Sequence, residues 1–237
     1  MQLFSDNIAI QVALCIILGY LCGCFSAGTA VAKSANVDIK HQGSGNTGAT
    51  NVLRVMGPRA GFTTLFIDLL KTIIPILLVR YLFFNQYEPM SQMSQLLVLL
   101  VGFGAVLGHM FPFYLRFKGG KGVACMGACM LLYDWRLALA GFIIFALIIY
   151  FSKYMSIASM TASVLFPIFV LGHGYFNYGN HGFFYDFGDF NMTIWIVMSI
   201  FTWVFPALCI YNHRSNIERL KNHTENKFSF GPKKSGK

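Results

Sequence analysis

Runs of about 20 residues with almost no charge recur along this chain, and such a run has few ways to fold. In hydrocarbon every backbone N–H and C=O needs a partner within its own segment or in a closed barrel, so a long apolar run is expected to be a helix. The runs cover residues 8–32, 61–84, 95–115, 123–133, 136–151, 157–172 and 192–211. The run at 123–133 is short for a span, so a tilted or protein-shielded helix is expected there. The whole chain of 237 residues is 56% hydrophobic and 11% charged, against about 25% charged in soluble domains. The expected fold is all-α. One polytopic membrane domain of seven transmembrane helices occupies residues 1–212, and a basic tail follows over 213–237.

Charge placement orients the spans. The connector after the first run carries Lys33, Lys40, Arg54 and Arg59, whereas residues 81–115 carry no Lys or Arg. Arg116, Lys118 and Lys121 follow the third run, and residues 154–211 are again free of Lys and Arg. The tail holds Arg214, Arg219, Lys221, Lys227, Lys233, Lys234 and Lys237. Basic connectors stay in the cytoplasm, so the N-terminus is expected outside and the C-terminus inside. The net charge of +9 therefore points to anionic lipid headgroups and not to nucleic acid. The first run is too long for the apolar core of a signal peptide, and acidic Asp6 precedes it. Six cysteines lie in or beside apolar runs without a Cys-x-x-Cys, which reads as packing.

Two polar, glycine-rich segments interrupt this apolar chain. The first includes Gly43, Ser44, Gly45, Asn46, Thr47, Gly48, Thr50 and Asn51 and ends at Arg54; the second holds Lys118, Gly119, Gly120, Lys121 and Gly122. Glycine lets the backbone turn N–H groups toward an anion, and an arginine fork donates two parallel hydrogen bonds to a phosphate. A helix starting at Val123 would add its N-terminal dipole. The second segment is not a Walker A loop, because no Ser or Thr follows Lys121. On the charge pattern both segments face the cytoplasm, where basic groups also contact headgroups without any catalytic role.

Other residues are open to two readings. His109 is either a general base near neutral pH or a satisfied interior group. Asp68 and Lys71 share a helical face and can pair inside a span, as site residues or as structure. His213, Arg214, Asn216, Arg219 and Glu225 open the tail and can fold back on the glycine segments. A His-x4-Asp pattern at His181 and Asp186 falls in the outer loop, away from the basic side. No paired acidic cluster suits a two-metal site, and neither a metal nor a cofactor is expected. An organic-phosphate permease and a lipid-binding assembly subunit remain alternatives to an enzyme. A permease, however, would need polar residues across the midplane.

At these segments the chain closely resembles the bacterial acyl-phosphate:glycerol-3-phosphate acyltransferases, the PlsY family. The likeness rests on Gly43 through Arg54, Gly108 through Ala124, and His213 through Leu220, with Asp68, Lys71 and Tyr154 through Ser159 also matching, in order along nearly the whole chain. The resemblance implies a multi-pass enzyme of the bacterial inner membrane, with its active site on the cytoplasmic side and no obligatory protein partner. It would transfer a fatty acyl group from acyl phosphate to the 1-hydroxyl of glycerol 3-phosphate, giving lysophosphatidic acid and phosphate, the first acylation of phospholipid synthesis. Carried over by position, Ser44, Arg54, Lys121 and Asn216 are the expected catalytic set. Gly45, Asn46, Thr50, Asn51, His109, Lys118, Gly119, Gly120, Gly122, Ser159 and His213 are the expected substrate-binding set, and Glu225 is expected to be structural. The chain departs from the family pattern at Cys24, Cys125 and His223, and its aromatic outer loop, 172–191, is long.

Overall fold

The computed structural model describes residues 7–83, 87, 91–179 and 191–229, and among these there is helix and no strand. The pattern at His181 and Asp186 lies outside the described residues. In chain order the helices are α1 (Ile8–Gly23), α2 (Ala27–Ser34), α3 (Ala49–Met56), α4 (Pro58–Leu82), α5 (Gln92–Met110), α6 (Val123–Tyr133), α7 (Trp135–Ser152), α8 (Met155–Gly179), α9 (Met192–Thr202), α10 (Val204–Asn212) and α11 (Arg214–Lys221). Short 3₁₀ turns occupy Ile39–His41 and Phe113–Leu115.

Six stretches are long and apolar enough to cross a bilayer: Ile8–Ser34, Pro58–Leu82, Gln92–Leu115, Trp135–Ser152, Met155–Phe176 and Met192–Asn212. The shorter α6 coincides with the expected run at 123–133. Two expected single helices are broken. The first splits at Cys24–Ser26, where the Tyr114 hydroxyl donates to the Cys24 carbonyl (2.9 Å) and accepts from the Ser26 amide (3.0 Å). The last splits at Trp203, between α9 and α10.

The helix α5 is the centre of the bundle, with 72% of its apolar stretch buried against 6% for α7. It packs on α1 backbone to backbone. A methyl on Gly19 would stand 2.1 Å from the Val101 carbonyl, and one on Gly23 2.2 Å from that of Ala105. The reverse also holds: a methyl on Gly104 would stand 2.3 Å from the Ile16 carbonyl and one on Gly108 2.2 Å from that of Tyr20. Each helix thus presents glycines four residues apart, the small-residue stripe that lets helices approach where lipid offers no hydrophobic drive for association. The other core helices add side chains around this contact: Ile76 and Val79 of α4, Cys125 and Cys129 of α6, Phe166 of α8 and Phe205 of α10 are all buried. Phe62, Phe66, Ile74 and Leu77 of α4 and Phe142, Tyr150 and Phe151 of α7 are exposed, as a lipid-facing surface requires.

Replacing Gly23 by Ala is expected to destabilise the protein by about 1–3 kcal/mol through overpacking. Gly127→Ala, in α6 with nothing within 4 Å of the new methyl, is expected to be neutral or to stabilise by up to about 1 kcal/mol. Thermal unfolding of both variants in one detergent checks the order.

Candidate active site

The first glycine segment is a loop closed on Asn51. Positive φ at Gly43 (63°) and Gly45 (72°) folds the chain back toward α3. Asn51 Oδ1 then accepts from the Ser44 amide (2.8 Å), and its Nδ2 donates to the Gln42 carbonyl (3.0 Å). A side-chain amide carries a donor and an acceptor side by side on one planar group. Gly43 fits because a methyl there would lie 2.3 Å from Asn51 Oδ1. Asn46 Oδ1 accepts from the Gly48 amide (2.8 Å), which leads the chain into α3. Arg54 stands behind the loop, its Nη1 donating to Asn51 Oδ1 (3.3 Å). The loop thus presents Ser44 on an outer face, and the Ser44 hydroxyl has no partner among the described residues.

The second segment is pinned to the end of α5. The Gly119 amide donates to the Met110 carbonyl and the Gly120 amide to that of His109, both at 3.0 Å. These bonds satisfy carbonyls that a helix end leaves orphaned. This corrects one expectation: these two N–H groups serve the loop's own fold and do not point at an anion. Gly122 takes positive φ (77°) and starts α6 at Val123, as expected. The turn leaves Lys118 exposed and Lys121 half-buried.

The tail supplies the third wall. Lys121 Nζ donates to Asn216 Oδ1. Asn216 Nδ2 donates to Glu225 Oε1 (2.7 Å), Arg219 Nε to Glu225 Oε2 (2.7 Å), and Ser156 Oγ to Oε1 (3.2 Å). The chain then crosses to the α7–α8 corner, where the Phe228 amide donates to the Lys153 carbonyl at 2.7 Å. Burial alone would raise the Glu225 carboxyl, but the bonds from Arg219 and Asn216 outweigh it and hold the group below the usual carboxylate range. Burial also pushes the Lys121 ammonium down to about 8, with Glu225 resisting the shift.

These three pieces enclose a cavity of about 310 Å³. Ser44, Gly45, Asn46 and Thr47 line it from the first segment, Lys118, Gly119 and Lys121 from the second, and Asn212, Ser215 and Arg219 from α10 and α11. Lys40, on the 3₁₀ turn that Asp38 caps, completes the rim. Four cationic side chains around so small a space favour a multiply charged anion.

A family model for glycerol-3-phosphate acyltransferase matches residues 13–223. The chain belongs to this family. The glycerol-3-phosphate acyltransferase of Lactiplantibacillus plantarum is 35% identical over 93% of this chain and 94% of its own length. That of Geotalea daltonii is 37% identical over 90% and 95%. Two solved structures of PlsY (YgiH), an integral membrane glycerol 3-phosphate acyltransferase, share 34% identity and cover 92% of this chain and 96% of theirs. The glycerol 3-phosphate form superposes with a TM-score of 0.74 and the lysophosphatidic acid form with 0.72.

Within this family fold, the residues singled out from the sequence take different places. Ser44, Gly45, Asn46, Lys118, Gly119 and Lys121 line the cavity. Asn51, Arg54 and Asn216 hold its walls from behind. Gly122 is the turn residue just before α6, and Thr50 is the second residue of α3. Ser159 is buried in α8, donating to the Met155 carbonyl (2.8 Å). His213 is buried with Nδ1 donating to the Cys209 carbonyl (2.8 Å), and burial together with Lys121 pushes it down to about 4. It is therefore a neutral imidazole at pH 7. His109, Gly120, Asp68 and Lys71 form a separate buried cluster beneath the second loop.

Lys40, Arg219, Asn212 and Ser215 enter the site although the glycine motifs did not mark them. Lys40 reads in the sequence as a topology cation, and its closeness to Gly43 was the available signal. Asn212 and Ser215 carry no sequence signal of their own.

Asn51→Ala is expected to lose about 1–3 kcal/mol of stability, because it strands the Ser44 amide and the Gln42 carbonyl. Asn51→Asp, which keeps the acceptor alone, is expected to fall between Ala and the parent. Thermal midpoints measured beside initial rates check this.

Proposed function

We propose that this chain transfers a fatty acyl group from acyl phosphate to the 1-hydroxyl of glycerol 3-phosphate, releasing lysophosphatidic acid and phosphate. The observation that carries the reading is the cavity itself: three segments remote in sequence put Lys40, Lys118, Lys121 and Arg219 around a space sized for a small phosphate ester, at one end of an apolar bundle. Membership of the glycerol-3-phosphate acyltransferase family supports the acceptor. Acyl phosphate as donor is what the motif resemblance implies.

Phosphate is a good leaving group, so an acyl phosphate needs no covalent enzyme intermediate. In the proposed step the acceptor oxygen attacks the acyl carbonyl carbon, the carbon–oxygen bond to the donor phosphate breaks, and phosphate departs. Lys121 holds phosphate charge at the cavity wall and Arg54, behind the first loop, adds positive charge that stabilises what develops in the transition state, while Ser44 orients the reacting groups and Asn216 orients Lys121. The acceptor proton passes to the donor's own phosphate. His213, held near 4 and tied to the Cys209 carbonyl, is too weak a base for this task. The acyl chain lies along the exposed apolar helices. The basic connectors support seven spans with an outer N-terminus and a site on the cytoplasmic side.

Purified protein given acyl phosphate is expected to release phosphate only when glycerol 3-phosphate is present. Release without acceptor, or tracer uptake into sealed vesicles without release, would refute the transferase reading. Lys121→Ala is expected to lower transfer by about a thousandfold while still accumulating in the membrane.

The Lys121 shift also sets a pH dependence. A lysine lowered to about 8 carries its charge below that pH and loses it above. The value of kcat/KM for glycerol 3-phosphate is therefore expected to fall about tenfold per pH unit above pH 8 in the parent. In Lys121→Arg that limb is expected to disappear, because a guanidinium stays charged.

A further inference from the structure

Beneath the second loop lies a polar cluster that takes no part in the cavity. Lys71 Nζ stands 2.8 Å from Asp68 Oδ1, donates to the Phe25 carbonyl (2.8 Å) and meets His109 Nδ1 at 2.7 Å. All three side chains are buried. His109 Nδ1 thus lies between the Lys71 ammonium and, at 3.4 Å, Asp68 Oδ1, and the ring turns its Nε2 edge away from both. That edge of the ring faces Gly120: a methyl there would lie 1.9 Å from Nε2. The same histidine receives the Gly120 amide on its carbonyl. The ring is thus clamped from α4 on one side and carries the loop on the other.

We propose that His109, fixed by Lys71 and Asp68, is a positioning residue that sets the height of the Gly119–Gly120 turn and hence the placement of Lys118 and Lys121 around the acceptor phosphate. The inference rests on the reading that this loop seats glycerol 3-phosphate. It explains why position 120 is glycine: its φ is not left-handed, and the three atoms nearest a methyl there all belong to the imidazole. Gly119 is different. Its absent methyl would meet backbone, the His109 carbonyl at 2.1 Å, which no side-chain change at 109 removes.

The contact predicts a selective rescue. Gly120→Ala is expected to raise KM for glycerol 3-phosphate at least about tenfold, with KM for acyl phosphate within about twofold of the parent. Adding His109→Ala makes room for the methyl, and the double variant is expected to return to within about threefold of His109→Ala alone. Gly119→Ala is expected to gain nothing from the same partner. His109→Ala alone is expected to raise KM for the acceptor more than it lowers kcat, with His109→Asn, which keeps an acceptor near Nδ1, intermediate.

No recovery in the double variant, with Gly120→Ala impaired as stated, overturns the positioning role and leaves the loop reading intact. Unchanged acceptor KM in Gly120→Ala overturns both. A fall in kcat at constant KM in His109→Ala would make His109 a participant in the chemistry and also overturn the proposal. If Gly120→Ala does not accumulate folded, the same recovery is read as folded yield in detergent, and the His109→Ala and His109→Asn values of KM stand as the kinetic test.

Discussion

Backbone contact between α1 and α5 is the constraint on which the remaining structure rests. Gly19 and Gly23 meet the carbonyls of Val101 and Ala105, and Gly104 and Gly108 meet those of Ile16 and Tyr20. In lipid, apolar side chains gain little by leaving one apolar medium for another, so close van der Waals approach of backbones is what selects a partner helix. The contact places α5 at the centre and sets the position of its C-terminal end. The Met110 and His109 carbonyls at that end hold the second glycine loop. It also brings the break after α1 within reach of Lys71, which donates to the Phe25 carbonyl.

Two polar systems with different duties are built on that frame. The inner one, Asp68, Lys71 and His109, is closed to solvent and ties α4, α5 and the α1–α2 break together. Removing one partner of such a group strands a charge in a medium that cannot solvate it, so it acts as a joint. The outer system, Lys121, Asn216, Glu225 and Arg219, opens on the cavity. A single carboxylate among several cations fixes Asn216 and Arg219 while leaving net positive charge for an anionic ligand. Gly120 lies between the two systems, bonded to the His109 carbonyl and packed on its ring.

The helical spans and the polar segments were legible in the chain because each has a local physical cause. An apolar run marks a helix even where it is too short for a span, which is why α6 falls on residues 123–133 as expected. Gly122 before Val123 marks that helix start, and the crowding of Ser, Thr, Asn and Gly between 43 and 51 marks a non-helical loop. The break at Cys24–Ser26 was not legible. It is held by Tyr114, about 90 residues away, and nothing in the local pattern interrupts the apolar run. The glycine pairs of α1 and α5 carry a readable spacing, yet spacing does not say which helix is the partner. Lys40 looked like any cytoplasmic lysine until the 3₁₀ turn placed it on the cavity rim.

By itself, the sequence determined that the chain is a helical membrane protein with polar, cation-bearing segments between its spans, because hydropathy and charge act locally and are additive along a chain. Its ordered motifs also carried the likeness to one acyltransferase family. Only the tertiary structure decided that Ser44, Lys121 and Arg219 belong to one cavity. Only it showed that the Gly119 and Gly120 amides cap α5 instead of facing a ligand, and that His109 supports the loop from below. Those facts depend on which helices touch and at what height, and helix contact in a bilayer is set by shape between residues remote in sequence.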